Sequence, residues 1–88
     1  MSWLTKEFKA VFVVIGKNNC TFCDKTKTLL FANDILYEEY NIEDMENKWL
    51  LNLLGKAGVR SVPQIYDMSG RHVGGYKDLQ KLIDSLED

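Results

Sequence analysis

The chain has 88 residues, 45% of them hydrophobic and 27% charged, a globular balance that argues against disordered or fibrous architectures and leaves room for one compact core but not two. Eleven basic and thirteen acidic residues give a net charge of −2, which provides no field for a nucleic-acid backbone. The longest apolar run, Ala10–Ile15, is far short of the roughly 20 residues of a membrane span, and no basic region followed by a long apolar one precedes it, so the expectation is a cytosolic monomer forming one domain over residues 1–88.

In chain order, Ser2–Lys6 reads as a short helical turn or a frayed end. Ala10–Ile15 is β-branched and aromatic and stops at Gly16, as a central strand covered on both faces should. From Thr21 to about Asn33, helix formers follow one another with Cys23, Thr26 and Leu30 at helical spacing. Ile35–Asn41 alternates around Leu36, Glu38 and Tyr40, which suits a strand near a sheet edge. Met45, Trp49, Leu50, Leu53, Leu54 and Ala57 form an apolar stripe for a second helix, with Asp44 as N-cap and Gly55 or Gly58 near the stop. Gln64–Asp67 and Arg71–Val73 flank Met68-Ser69-Gly70 as a hairpin. Tyr76, Leu79, Leu82, Ile83 and Leu86 mark a final amphipathic helix. The order β-α-β-α-β-β-α is that of a thioredoxin-like α/β fold with a four-stranded mixed sheet.

Cys20 and Cys23 stand between the first strand and the first helix, the context in which C-x-x-C reads as a redox motif. So close a pair closes too small a loop to staple a domain, so its value is chemical. A sulfur at a helix N-terminus faces unpaired N–H groups and the positive end of the helix dipole, both of which favour thiolate. Cys20 is therefore expected as nucleophile, with Lys17 as a nearby cation, and Cys23, one turn deeper, as resolving thiol. Zinc needs more ligands than two cysteines and the single His72 supply; His72 is expected on the hairpin surface.

Pro63, the only proline, opens the third strand, where a missing N–H must be compensated. A trans turn entering an edge strand and a cis Val62–Pro63 bond, which would leave the Val62 backbone open to an extended peptide, both satisfy the sequence. Gly74-Gly75 lets a ligand approach the main chain, and the helix start at Tyr76–Asp78 suits a carboxylate. Asp78 either caps its own helix or meets an ammonium.

Lys17-x-x-Cys20-Thr-Phe-Cys23, Arg60-Ser-Val-Pro63 and Gly74-Gly75-Tyr-Lys-Asp78-Leu79 together resemble the signature segments of the glutaredoxin family across nearly the whole chain. The resemblance implies a thioredoxin fold, a cis Pro63 facing Cys20, and a glutathione groove. In it, Lys17 and Arg60 meet the glycyl carboxylate, Val62 pairs with the cysteinyl backbone, and Phe22 walls the sulfur. Past Gly75, which lines the groove, the main-chain N–H groups of Tyr76 and Lys77 take the γ-glutamyl carboxylate and Asp78 the ammonium. Two departures stand out: Thr21-Phe22 where the family often has Pro-Tyr, and Lys77 where it often has Ser or Thr.

The implied activity is glutathione-dependent reduction of glutathionylated or disulfide-containing proteins, such as a ribonucleotide reductase, with no resident metal. Two alternatives stay open. A redoxin of the same fold could use thioredoxin reductase instead of glutathione. A dimer could hold a [2Fe–2S] cluster on Cys20 from each subunit and two glutathiones, because Thr21 replaces the proline.

Overall fold

In a computed structural model of the chain, residues 10–59 and 61–86 are described. Arg60 and the Ser2–Lys6 segment lie outside the described residues. The elements are β1 (Phe12–Gly16), α1 (Thr21–Ala32), β2 (Tyr37–Asn41), a 3₁₀ turn (Met45–Asn47), α2 (Lys48–Lys56), β3 (Gln64–Asp67), β4 (His72–Gly74) and α3 (Tyr76–Leu86). Their order is the one expected from sequence, with boundaries moved by one or two residues at β1, β2 and β4.

The strands form one mixed sheet in the order β2-β1-β3-β4. β1 and β2 run parallel, with Phe12 opposite Tyr37 and Gly16 opposite Asn41. β3 lies antiparallel on the other side of β1 and β4 antiparallel to β3, with a register shift at Ile65/Tyr66. β2 is an edge strand and β1 is central, as their patterns predict. Because neighbouring residues of a strand face opposite sides, β1 divides its side chains between two cores. Phe12 and Val14, with Ile65 of β3, pack under Leu30 of α1 and Leu79 and Ile83 of α3. Val13 and Ile15 face the other way, toward Leu50 and Leu54 of α2, with Tyr40 and Tyr66 beside them.

α1 buries Cys23, Thr26 and Leu30, the spacing expected of it, and the Thr26 hydroxyl is satisfied by donating to the Phe22 carbonyl at 2.8 Å. The second helix differs from expectation. The segment starts as a 3₁₀ turn, and Asp44 precedes it without a side-chain capping bond. Of the predicted stripe, Leu50 and Leu54 are buried, whereas Met45, Trp49 and Leu53 are 80%, 59% and 55% exposed and Ala57 is exposed too. A single helix laid on a sheet buries a narrow arc, and the apolar residues here occupy a wider one. Among the described residues, no helix is long and apolar enough to cross a membrane.

Candidate active site

Cys20 is the N-cap of α1: its backbone is extended, and the Cys23 N–H donates to its Sγ at 3.2 Å. The sulfur takes the role that a serine or aspartate oxygen fills at most helix starts, and the helix turn is completed by Asp24 N–H donating to the Cys20 carbonyl at 3.1 Å. Cys20 and Cys23 are joined in a disulfide, with Cα atoms 5.2 Å apart. Exposure falls from 9% at Cys20 to 2% at Cys23, so an incoming disulfide meets Cys20 first.

Two features of the surrounding backbone make room for these sulfurs. Gly16, at the end of β1, lies against Cys23; a Cβ there would stand 2.9 Å from Cys23 Sγ, closer than real Cβ contacts permit. Opposite the pair, the Val62–Pro63 peptide bond is cis. The Val62 carbonyl oxygen lies 3.9 Å from Cys20 Sγ, near enough for a reduced thiol to donate to it. Pro63 is buried and Val62 half-buried.

The remaining sequence-predicted residues divide into three places around the sulfurs. Lys17 and Val62 share a groove of about 700 Å³, floored by Ile42, Leu54 and Val59. Phe22 and Tyr76 form a tilted aromatic pair with centroids 5.8 Å apart, and Lys25 Nζ lies 5.0 Å from the Phe22 centroid. Tyr76 also borders a second groove of about 500 Å³ along α1. Gly75 faces the Pro63 carbonyl across space that a side chain would partly fill.

Asp78 uses its carboxylate at home. Its Oδ2 accepts the Gly75 N–H at 3.1 Å, the return half of a capping box. Gly74 carries a φ of +124°, and a Cβ on it would collide with the Asp78 carboxylate. Glycine at 74 thus serves this helix start. Lys77 is exposed. Among the described residues, no group of three or more His, Cys, Asp or Glu side chains is arranged to hold a metal ion.

Residues 12–73 match the sequence profile of the family described as Glutaredoxin. The chain belongs to the glutaredoxin family. Glutaredoxin 1 of Rickettsia prowazekii is 30% identical over 80 residues, covering 90% of this chain and 83% of that protein. Glutaredoxin 3 of Escherichia coli is 30% identical over 69 residues, covering 78% of this chain and 81% of that one. The crystal structure of a buckwheat glutaredoxin–glutathione complex aligns with a TM-score of 0.67 at 26% identity, over 84% of this chain and 69% of that one. Membership of the glutaredoxins implies thiol–disulfide oxidoreductase activity, and the disulfide at Cys20–Cys23 is its redox centre in the oxidised form.

Two polar clusters beside this glutaredoxin site carry no periodic signal in the sequence. Buried Gln64 donates from Nε2 to the Ser61 carbonyl at 2.8 Å and pairs through Oε1 with His72 Nε2 at 2.7 Å. The Gln64 amide oxygen can only accept, so His72 Nε2 supplies the proton of the second bond. His72 is exposed on the hairpin, as expected, yet it braces the strand that follows cis Pro63. The second cluster joins Asn18, Asn41 and Glu43 on the Lys17 side.

Proposed function

We propose that this glutaredoxin is a dithiol oxidoreductase that uses glutathione to reduce protein–glutathione mixed disulfides and protein disulfides. The observation that carries the proposal is the position of Cys20 Sγ: at the N-terminus of α1, holding the Cys23 N–H, and more accessible than Cys23. On reduction, that N–H and the helix dipole favour its thiolate. Lys17 beside Val62 offers a cation to a peptide carboxylate, and the Tyr76–Lys77 main chain offers a helix start to the γ-glutamyl carboxylate. The buckwheat glutaredoxin–glutathione complex supports glutathione as the class of ligand. Asp78, already bound to Gly75 N–H, would hold the ligand ammonium with its remaining oxygen. Arg60 is proposed for the glycyl carboxylate by resemblance alone.

In the monothiol route, the Cys20 thiolate attacks the glutathionyl sulfur of a mixed disulfide. The S–S bond breaks, and the target departs as a thiolate that takes up a proton. A glutathione thiolate then attacks the Cys20–glutathione bond, giving glutathione disulfide and returning Cys20 as thiolate. In the dithiol route, Cys20 attacks a protein disulfide, and Cys23, giving its proton to the released target thiolate, attacks Cys20 to free the second target sulfur. The resulting Cys20–Cys23 disulfide is reduced by two glutathiones, which leave as glutathione disulfide. We place this chemistry in the cytosol, where the glutathione pool is reducing.

The deciding assay is turnover of the mixed disulfide of glutathione and 2-mercaptoethanol, coupled to glutathione reductase. Cys20→Ser is expected to abolish turnover, while Cys23→Ser keeps it but loses reduction of a protein disulfide. Reduction by thioredoxin reductase without any glutathione-dependent turnover would overturn the proposal.

A further inference from the structure

We infer that Asn41 and Glu43 are positioning residues for the loop that carries Lys17 into Cys20, acting through Asn18; the inference rests on the glutathione chemistry proposed above. The loop Lys17–Asn19 is exposed along its length, and Asn19 takes a left-handed φ of 54° directly before the nucleophile. So short and exposed a turn buries little apolar surface, and its shape depends on hydrogen bonds. Asn18 receives two of them from the segment that ends β2. Its N–H donates to Glu43 Oε1 at 2.9 Å, and its Oδ1 accepts from Asn41 Nδ2 at 2.8 Å. The Glu43 N–H donates to Asn41 Oδ1 at 2.8 Å and closes the three residues into a ring.

The ring is anchored to well-fixed structure. The Asn41 carbonyl accepts from the buried Asn47 Nδ2 at 2.9 Å, and the Ile42 N–H donates to the Gly16 carbonyl at 2.9 Å. Sheet pairing reaches Gly16 and Asn41 through the main chain, so the Asn41 amide and the Glu43 carboxylate are not needed to complete the strand. They contribute to neither apolar core. What they hold is the loop, and through it the direction of the Lys17 side chain toward the groove and the entry of the chain into the Cys20 cap.

The test compares Asn41→Ala, Glu43→Ala and Glu43→Gln. The glutamine keeps an oxygen that accepts the Asn18 N–H and removes the charge, so it separates a tether from an electrostatic effect. The first readout needs no glutathione: the pH dependence of iodoacetamide alkylation of Cys20 in the reduced protein, in a Cys23→Ser background. Both alanine variants are expected to raise the apparent Cys20 pKa by about half a unit, roughly a threefold loss of thiolate well below that pKa. The second is kcat/KM for the mixed disulfide, expected to fall roughly fivefold through a higher KM as a positioning hydrogen bond is lost. Glu43→Gln should match the parent protein in both. Alanine variants that titrate and turn over like the parent, or a glutamine variant that behaves like alanine, would overturn the inference. If the parent protein shows no turnover with glutathione, the function proposed above fails, and the alkylation comparison still decides the role of the ring.

Discussion

On one face of the sheet, α1 and α3 together seal Phe12, Val14 and Ile65 beneath Leu30, Leu79 and Ile83, none of them more than 3% exposed. On the other, α2 is the one helix among the described residues that lies over Val13, Ile15 and Tyr66, reaching them with Leu50 and Leu54, while Trp49 and Leu53, with Met45 of the preceding 3₁₀ turn, stay in solvent. The redox pair sits on α1, the helix of the denser face, where a fixed backbone holds the sulfur against the helix N-terminus. The groove that takes Lys17 and Val62 is floored by Leu54 and Val59 on the thinner face. The chemistry is thus held by the tightly packed side, and the opening beside it lies where packing is lighter.

Core truncations test this contrast most strongly. Leu30 is fully buried among residues from the sheet and both flanking helices, and Leu30→Ala is expected to cost about 3 to 5 kcal/mol, the upper part of the range for cavity-forming changes. Leu54→Ala, on the thinner face, should cost about 2 kcal/mol, since the groove beside it allows collapse or entry of water. Urea unfolding with a common m-value would measure both, and equal losses would show that the two faces are packed alike.

A smaller effect is expected on the outer surface of α2. Trp49→Lys replaces an exposed ring at a helical position with a good helix former, and stability should stay within about 0.5 kcal/mol of the parent. A loss above about 1.5 kcal/mol in the same urea experiment would mean that Trp49 is covered by chain or partner in solution.

This exposed arc also marks how far the sequence could be read. β1 was legible as a central strand because both of its faces are apolar, and β3 was legible from Gln64 to Asp67 because it is short and bounded by Pro63 and a glycine turn. The Cys20–Cys23 pair was legible because its chemistry depends on local order, a strand followed by a helix start. Met45, Trp49 and Leu53 fit the apolar stripe yet stay exposed, because periodicity reports which residues share a helical arc, not how much of that arc a neighbour covers. Gly16 gave no sign of its contact with Cys23, since the need for glycine arises from a helix folded back onto the strand end. The Asn18–Asn41–Glu43 ring joins a loop to the end of β2 more than twenty residues away, and polar side-chain bonds of this kind leave no spacing rule. Asp78 was legible only as a choice between capping and ligand binding, and the Gly75 N–H takes one of its oxygens.

The smallest expected effect lies at the turn of the β3–β4 hairpin, and it is visible through pH. Asp67 ends β3, and its Oδ1 accepts the Ser69 hydroxyl at 2.6 Å and the N–H groups of Arg71 and Ser69 at 2.9 and 3.0 Å. The Ser69 hydroxyl, followed by the Arg71 N–H, holds the carboxyl below the usual carboxylate range, because these donors favour the charged form. A carboxyl with a lower folded than unfolded pKa adds stability that is fully present above the unfolded value and is lost as pH falls through the folded one. In Asp67→Asn the amide oxygen still accepts from the turn, but no proton is linked to folding. The variant should therefore be slightly less stable than the parent near neutrality, and the gap between their urea midpoints should close as pH falls below about 4. A gap independent of pH would assign the role of Asp67 to turn geometry rather than to its charge.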